Sequence, residues 1–355
     1  MTWMPAVALV VPGPISTRTG GSIYNRRMAE GLVARGWRVD VIELPGAFPF
    51  PNDEAVRRAG DALDALPDDA LVLVDGLALN ALPDVAERTG RRCRLVALVH
   101  LPLIADKSRS PLDIAALEPG ERRALLAATR VIVTGAACIP LLARYRLPAG
   151  SIVIVEPGTD RKPIAAGSSG AEGVRLLTVG TIHAAKGYDV LLRALARQSD
   201  TAWQLRCVGS VTRDPKTTAQ VQSLIDDYGL GTRVVFTGEL ASPGPDAEYD
   251  AADVFVTPTL QETFGMSVAE ALAHGLPVIG TTTGEIPALV GADAGLVVPP
   301  GDVDALADAL HRVLSDAALR ARLAGAARRV RERLPTWDQA VEHMAAVLTQ
   351  VPPRE

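Results

Sequence analysis

The sequence predicts an α/β protein made of two doubly wound domains, and three observations support this fold class. Short apolar segments alternate with helical patterns over most of the chain. The alternation stops at a stretch rich in small and turn-forming residues and then starts again. The chain has 355 residues, of which 48% are hydrophobic, and this is enough for two packed cores.

Each half of the chain contains its own series of candidate strands. In the first half these are residues 6–11, 39–44, 71–74, 95–99, 131–133 and 152–155. Pro157-Gly158-Thr159-Asp160 and the Ala/Gly/Ser stretch 165–173 then break the pattern, so we place the domain boundary there. The second half contains the candidate strands 175–179, 204–208, 234–237, 254–256, 277–279 and 295–298. We therefore predict an N-terminal domain at 1–165 and a C-terminal domain at 172–334.

The last part of the chain is predicted to be helical from about residue 302 to residue 347. Leu334-Pro335-Thr336-Trp337 interrupts this region, and Thr336 can cap a final helix that Trp337 anchors. We expect residues 335–355 to pack back on the first domain.

Composition argues against several classes of protein. A net charge of −5 argues against a general nucleic-acid binder, because neutralising phosphates requires a concentrated basic surface. Cys93, Cys138 and Cys207 are odd in number, far apart and embedded in apolar runs, which predicts core thiols rather than disulfides or a metal set. The apolar segment 6–11 has no basic region before it and is too short for a signal peptide or a membrane span. We expect a cytoplasmic protein.

Local arginine clusters, such as the four arginines between residues 328 and 333, are typical of solvated helix faces. A weak contact with an anionic membrane surface is the alternative. Asp302-Val303-Asp304 superficially looks like the paired aspartates of a metal-dependent nucleotide-sugar enzyme. Because Pro299-Pro300-Gly301 precedes it and an alanine-rich helix follows, we interpret Asp302 as a helix N-cap.

The segment 255–275 is the most informative for function. An apolar strand ends there, and Pro258 removes a backbone donor and stops the ladder. After Gly265 the apolar residues recur at helical spacing, so the loop leads directly into a helix N-terminus. Free N–H groups and the positive end of the helix dipole make this position suitable for a phosphate.

Two acids flank this predicted phosphate site. Glu262 lies before the turn, and Glu270 lies one to two turns into the helix. A carboxylate beside a phosphate would be repelled by it, so we expect each acid to face neutral hydroxyls, one on a sugar and one on a ribose. The alternative is that Glu262 is a surface loop residue and Glu270 pairs with an arginine.

Other loops that follow candidate strands also carry polar residues, and ligands of open α/β sheets bind at such positions. Gly20-Gly21 opens a helix and permits close backbone approach, although an ordinary capped helix start is the alternative. His100 can be structural, can hydrogen-bond a sugar hydroxyl or can transfer a proton. Lys186 can reach a diphosphate as a point charge, whereas we interpret His183 as a loop residue.

Taken together, these segments resemble the retaining GT-B glycosyltransferases of family 4, also called glycosyl transferases group 1, over nearly the whole chain. The strongest part is Glu262-Thr-Phe-Gly-Met-Ser-Val-Ala-Glu270, which looks like the family's E-x-F-G-x-x-x-x-E segment. The resemblance implies the GT-B fold, with two Rossmann-like domains that face a cleft and a C-terminal helix that packs back on the first domain. Pro157-Gly158-Thr159-Asp160 matches the hinge between the domains.

The resemblance also implies roles for individual residues. The catalytic residues would be Glu262, His100 and Lys186. The donor-binding residues would be Gly20, Gly21, Lys186, Glu262, Thr263, Phe264, Gly265, Met266, Ser267 and Glu270. The acceptor-binding residues would be Tyr24, Asn25 and His100.

One departure from the family pattern is visible. The family usually has Gly-Arg where this chain has Gly180-Thr181, so one of two cations expected on the diphosphate is missing. Lys186 acts alone, or an arginine such as Arg18 or Arg213 substitutes.

The resemblance predicts a transferase that moves a hexose-type sugar from a nucleoside diphosphate to an acceptor hydroxyl with retention of configuration. UDP is favoured over GDP, and no metal or cofactor is expected. The expected partners are the nucleotide-sugar donor and an unidentified acceptor, with no nucleic acid, at most peripheral membrane contact, and a monomeric or homodimeric chain. The alternatives are a nucleotide-sugar isomerase of the 2-epimerase kind and a catalytically weak nucleotide-sugar binding protein. A nicotinamide dehydrogenase is disfavoured, because neither half has G-x-G-x-x-G after its first strand.

Overall fold

The structure is a computed structural model that describes residues 4–107, 109–168, 170, 173–241 and 243–354. The described residues form two compact units. The first unit lies within Met1–Gly158 and Pro335–Glu355, and the second unit lies within Thr159–Leu334. Of the predicted boundary stretch 165–173, residues 169, 171 and 172 lie outside the described residues.

The first unit is built around a parallel sheet with the strand order β2-β1-β3-β4-β5-β6 in the described residues. Its strands are β1 (Ala6–Pro12), β2 (Arg38–Leu44), β3 (Leu71–Asp75), β4 (Arg94–Val99), β5 (Arg130–Val133) and β6 (Ile152–Ile154). Its first helices are α1 (Gly20–Ala34), α2 (Asp53–Asp64), α3 (Gly76–Leu79), α4 (Pro83–Arg92), α5 (Pro111–Ala127) and α6 (Cys138–Leu142), with short 3-10 helices at Leu103–Ala105 and Ala143–Tyr145.

The second unit repeats this design with a parallel sheet in the order β12-β11-β10-β7-β8-β9. Its strands are β7 (Val174–Val179), β8 (Trp203–Val208), β9 (Val234–Gly238), β10 (Val254–Val256), β11 (Val278–Thr281) and β12 (Gly295–Val298). Its helices are α7 (Tyr188–Ala196), α8 (Pro215–Asp227), α9 (Gly244–Asp250), α10 (Met266–Ala273), α11 (Ile286–Val290), α12 (Val303–Ser315) and α13 (Ala317–Arg331), with a 3-10 helix at Ala184–Lys186. All the predicted strands are confirmed to within two residues at either end.

Both faces of each sheet are covered by apolar clusters. Because side chains on a strand alternate in direction, one strand contributes residues to both clusters. On β1, Val7 and Leu9 join one apolar cluster, whereas Ala8 and Val10 join the cluster on the other face. The sheet of the second unit is likewise packed between two clusters. The three cysteines are buried free thiols, as predicted.

The chain ends with helix α14 (Trp337–Thr349), which belongs to the first unit and packs on α1. Thr336 caps it through a capping box with Gln339, and the ring of Trp337 meets that of Tyr24 edge-on at 6.1 Å. The predicted cap and anchor are therefore confirmed, and so is the return of this helix to the first unit.

Among the described residues, no helix has both the length and the apolar character needed to cross a bilayer.

Candidate active site

The segment after β10 forms the predicted loop and helix start. Gly265 adopts φ +97°, a left-handed backbone conformation that favours glycine, and α10 begins at the next residue. The first helical hydrogen bonds run from the amides of Val268 and Ala269 to the Gly265 carbonyl. The amides of Gly265, Met266 and Ser267 therefore precede the helical ladder, where the helix dipole also favours an anion.

The side chains around this turn divide into packed and accessible groups. Phe264 is only 4% exposed and packs in the apolar cluster that covers one face of the sheet. Its contribution to a ligand would therefore come from the backbone. Thr263 is also buried, whereas Met266 and Ser267 are partly exposed.

Lys186 and Glu262 form an ion pair beside the turn. The Nζ atom of Lys186 lies 3.0 Å from Oε2 of Glu262, and the two side chains are 27% and 20% exposed. The other carboxylate oxygen of Glu262 accepts a hydrogen bond from the Thr263 amide at 3.0 Å. Burial works to raise the pKa of Glu262, but the Lys186 ammonium and this amide outweigh it and lower the pKa below its ordinary value. Glu262 is thus an ionised acceptor next to a cation.

Close approach of two backbones places Lys186 beside Glu262. Gly187 adopts φ +65°, and a methyl group there would overlap the carbonyl oxygen of Pro258. The Leu260 amide donates to the Ala185 carbonyl at 2.8 Å, and the Thr259 hydroxyl donates to the same oxygen at 3.0 Å. The loop that carries Lys186 is therefore tied to the loop that leads to Glu262.

A third loop supports Glu262 from the other side. Gly284, in the turn between β11 and α11, has φ +55°, and a methyl group on it would lie 2.5 Å from the Glu262 carbonyl oxygen. The Glu285 amide donates to the Thr263 carbonyl at 3.0 Å. Sequence reasoning missed Gly284, because a glycine in a turn carries no local sign of what packs against it.

Glu270 lies on α10, and Oε2 accepts a hydrogen bond from the Tyr249 hydroxyl at 3.0 Å. Burial raises the pKa of Glu270 above its ordinary value, although the Tyr249 hydrogen bond partly offsets the rise. The ring of Tyr249 stacks on that of His274, with centroids 5.0 Å apart. The side-chain partner of Glu270 is thus a tyrosine, and not the arginine of the alternative interpretation.

The family pattern places two cations near position 181, an arginine and a lysine. In this loop Thr181 stands in place of the arginine, and Lys186 is the lysine. Arg213, one of the suggested substitutes, already pairs with Glu239 at 2.8 Å in the second unit. Arg18, the other substitute, lies in the first unit. His183 accepts a hydrogen bond from the Ala185 amide and is the N-cap of the 3-10 helix, in keeping with its interpretation as a loop residue.

In the first unit, Gly20 and Gly21 form the first turn of α1, with Thr19 as an N-cap whose side chain accepts from the Ser22 amide. A methyl group on Gly21 would lie 3.1 Å from Cδ2 of His100. The structure therefore shows the capped helix start that was the alternative for this glycine pair, and it shows that Gly21 makes room for the His100 ring.

His100 follows β4, and its side chain is 22% exposed. Its Nε2 atom lies 3.1 Å from Oδ1 of Asn25 and 3.5 Å from Oδ2 of Asp75. The Asn25 amide nitrogen also donates to Asp75 at 2.6 Å. Burial works to raise the pKa of Asp75, but the contacts with His100, Asn25 and the Leu77 amide hold it below its ordinary value.

Sequence reasoning missed Asp75. The available signal was its position, because it ends β3, the neighbour of β4 in the sheet, and the carboxyl ends of parallel strands share one edge.

The acceptor-binding roles predicted for Tyr24 and Asn25 need correction. Tyr24 has no exposed surface, and its hydroxyl donates to the Val155 carbonyl at 2.8 Å. Asn25 is 1% exposed, and both ends of its amide are occupied by Asp75 and His100. Because α1 turns these side chains into the core, they support His100 and do not face a ligand directly.

Within the described residues, no group of three or more His, Cys, Asp or Glu side chains is arranged to hold a metal ion. Asp302 caps α12 by accepting from the Ala305 amide, which confirms the N-cap interpretation of this residue.

Comparison with known proteins identifies the family. Residues 173–316 match the family model described as glycosyl transferases group 1. These residues belong to the glycosyl transferases group 1 family. This segment contains Lys186, Glu262, Glu270 and the turn at Gly265.

One curated relative is similar to this chain over a comparable length. A D-inositol 3-phosphate glycosyltransferase from Xylanimonas cellulosilytica is 33% identical over 180 residues, which are 50% of this chain and 43% of that protein. The chain thus spans less than half the length of this curated relative.

Solved structures show that the fold is GT-B over the whole chain. Sucrose-phosphate synthase from Thermosynechococcus elongatus superposes with a TM-score of 0.82 and 25% identity, over 98% of this chain and 99% of that one. HepE from Anabaena, in complex with UDP and glucose, gives a TM-score of 0.74 at 18% identity, over 98% of this chain and all of that one. The resemblance to GT-B glycosyltransferases of family 4 is confirmed.

Proposed function

We propose that this chain is a retaining glycosyltransferase that moves a hexose-type sugar from a nucleoside diphosphate to an acceptor hydroxyl. The observation that carries the proposal is the Lys186–Glu262 ion pair beside the N-terminus of α10. This arrangement offers a cation and helix amides to a diphosphate and an ionised acid to the sugar that the diphosphate carries.

The donor binds mainly to the second unit. The amides of Gly265, Met266 and Ser267 donate hydrogen bonds to the phosphates. Lys186 adds a positive charge, whose attraction strengthens as the leaving diphosphate becomes more negative. Glu262 accepts hydrogen bonds from hydroxyls of the sugar. Glu270, whose Oε2 is already held by Tyr249, binds the ribose with its other oxygen.

The acceptor binds to the first unit, and His100 orients a sugar hydroxyl there. In this mechanism the bond between the sugar and the diphosphate breaks as the acceptor oxygen attacks from the same face. The acceptor proton passes to the departing phosphate oxygen, so no side chain is required as a strong base. Metal independence is part of the proposal, because Lys186 and the helix dipole supply the positive charge.

UDP is the proposed nucleotide, with GDP as second choice. The structural neighbour that was crystallised with UDP and glucose supports this order. The buried free cysteines fit a reducing compartment, so the cytoplasm is the proposed location.

Donor binding tests the proposal. Calorimetry with UDP- and GDP-sugars in EDTA is expected to show saturable binding that Lys186→Ala and Glu270→Ala each weaken about tenfold or more, since a hydrogen bond to a charged group contributes about 1.5–3 kcal/mol. Lys216→Ala, which removes an exposed lysine from α8 in the same unit, is the matched control and should leave the Kd unchanged. Failure of every nucleotide sugar to bind would exclude the transferase.

Incubation of the bound donor then separates the alternatives. With the donor alone, a transferase shows only slow hydrolysis. When an acceptor is added, it transfers the sugar at a faster rate. An isomerase of the 2-epimerase kind converts the nucleotide sugar without a partner. A binding protein, which the missing arginine at Thr181 would favour, shows neither reaction against a broad panel of acceptor hydroxyls.

A further inference from the structure

The environment of His100 determines which of its ring nitrogens carries the proton. Two polar side chains face Nε2, namely Asn25 at 3.1 Å and Asp75 at 3.5 Å. Both contacts must be read together, because an asparagine amide can in principle present either its oxygen or its nitrogen.

Asp75 resolves this ambiguity for Asn25. Its pKa lies below the ordinary value, so at neutral pH it is a carboxylate that can only accept. Its Oδ2 lies 2.6 Å from the Asn25 amide, while Oδ1 accepts from the Leu77 amide at 2.8 Å. An amide oxygen at 2.6 Å from a carboxylate oxygen would be strongly repelled. The Asn25 nitrogen therefore points to Asp75 and its oxygen points to His100.

The orientation of Asn25 in turn specifies the histidine. Both atoms that face Nε2, the amide oxygen of Asn25 and the carboxylate oxygen of Asp75, are acceptors. Nε2 must therefore be the donor, and in the neutral ring Nδ1 carries a lone pair.

The packing of the ring leaves the Nδ1 side as the one that can meet a ligand. A methyl group on Gly21 would lie 3.1 Å from Cδ2 and 3.5 Å from Nε2, so this edge of the ring faces α1. The ring of Tyr24 packs edge-on against the imidazole, with centroids 5.2 Å apart. The exposed 22% of the His100 side chain is accordingly assigned to the opposite edge, which contains Nδ1 and Cε1.

We propose that Asp75 is a positioning residue that, through Asn25, holds His100 in the tautomer protonated on Nε2, so that Nδ1 accepts a hydrogen bond from a substrate hydroxyl. Only the last step, the contact with a substrate, rests on the proposed function. A histidine in the other tautomer would donate its Nδ1–H to the same hydroxyl, whose oxygen would then be the acceptor.

Nitrogen-15 NMR of the full chain tests the tautomer directly. The spectrum is followed into alkaline pH until the histidine signals stop changing, so that each ring carries one proton. His100 is identified among the five histidines by its loss in His100→Gln. The expected pattern is a protonated Nε2 and an unprotonated Nδ1 for His100. A protonated Nδ1 in the wild-type protein would overturn the proposal, and this result does not depend on how any Asp75 variant folds.

The role of Asp75 is tested with Asp75→Asn, which keeps the shape but removes the charge that orients Asn25. We expect a mixture of tautomers at His100, a fall in turnover of up to about a hundredfold, and a donor Kd unchanged within about twofold. Asp302→Asn, which preserves an N-cap in the second unit, is the control and should match the wild type. An unaltered tautomer in folded Asp75→Asn would overturn the positioning role.

The two proposals fail separately. If the tautomer depends on Asp75 but no nucleotide sugar binds, the positioning role holds and the transferase does not. If donors bind and turn over but His100 has the other tautomer, the transferase holds and the positioning role is wrong.

Discussion

Gly284→Ala is the substitution that best tests whether the packing of the second unit positions Glu262. Gly284 has no side chain, so it cannot itself bind the donor through one. Its φ of +55° and the two carbonyl oxygens beside it leave no room for a methyl group, which would lie 2.5 Å from the Glu262 oxygen and 2.6 Å from the Thr263 oxygen.

The size of the effect follows from these distances. An ordinary contact of a methyl carbon begins at about 3.4 Å, so the Glu262 backbone or the Gly284 turn must move by about 0.9 Å. A misplacement of about 1 Å in a catalytic group can cost about a hundredfold in rate. Alanine at positive φ adds about 1–2 kcal/mol of strain, which lowers the stability of the second unit but does not by itself affect the reaction.

The matched control is Gly229→Ala. Gly229 follows α8 in the same unit and has φ +66°, but a methyl group there would meet no atom within 4 Å. This variant carries the strain without the displacement, so it should lose about 1 kcal/mol of stability and keep its turnover.

Both variants are assayed by the release of UDP from a UDP-sugar, per mole of protein that urea unfolding shows to be folded. We expect turnover to fall about a hundredfold in Gly284→Ala and less than about twofold in Gly229→Ala. Full turnover in a folded Gly284→Ala protein would show that the position of the Glu262 backbone does not matter, and the reasoning would be refuted.

Further predictions concern the ion pair, the tyrosine beside Glu270 and the C-terminal helix. Because the pKa of Glu262 is lowered, the stability from its pairing with Lys186 is present above the ordinary glutamate pKa of 4.5 and is lost as the pH falls through the lowered value. Urea unfolding between about pH 6 and pH 3 should show this loss in the wild type and not in Lys186→Met, and identical slopes would contradict it. Tyr249→Phe removes a hydrogen bond that lowers the pKa of Glu270, so this pKa should rise in the variant. On acidification, donor affinity measured by calorimetry should therefore begin to fall at a higher pH than in the wild type. Unchanged pH dependence would argue against an ionised Glu270 at the ribose. Gly31→Ala places a methyl group against α14 and should destabilise the first unit by up to about 2 kcal/mol. This value is the overpacking cost of about 1–3 kcal/mol less the gain of about 1 kcal/mol in helix propensity. Hydrogen exchange should locate the loss at α14, and faster exchange spread evenly over the unit would count against this explanation.

Much of the fold could be predicted from local patterns. The strands were located from short apolar runs bounded by turn-forming residues, because a strand buried on both faces needs such a run whatever its neighbours are. The caps at Thr336 and Asp302 were equally local, since a cap bonds to an amide three residues later. The loop that ends at Gly265 was visible for the same reason.

In the candidate site, too, some features follow from the local sequence and others do not. Lys186 and His100 are recognisable because they follow candidate strands, and the motif from Glu262 to Glu270 is recognisable because of its spacing. Their partners were not predictable. The contacts Lys186–Glu262, Asn25–Asp75 and Asn25–His100 join residues 76, 50 and 75 positions apart, and no local pattern reports such pairs.

Burial also changed the interpretation of particular residues. From the sequence, Tyr24 and Asn25 follow a glycine pair at the start of a helix and suit an acceptor site. In the structure the same turn of α1 directs both side chains into the core, and which side of a helix faces the sheet is decided by packing with β1, β3 and α14.

The sequence by itself therefore determined the two α/β halves, their strands, the helix start at Gly265 and the family to which residues 173–316 belong. Each of these depends on neighbours within a few turns of chain. Only the tertiary structure decided that Lys186 pairs with Glu262, that Gly284 supports the Glu262 backbone and that Asp75 orients His100. Those relations arise where separate strand ends meet at one sheet edge, and chain segments distant in sequence come together there only after the sheet has formed.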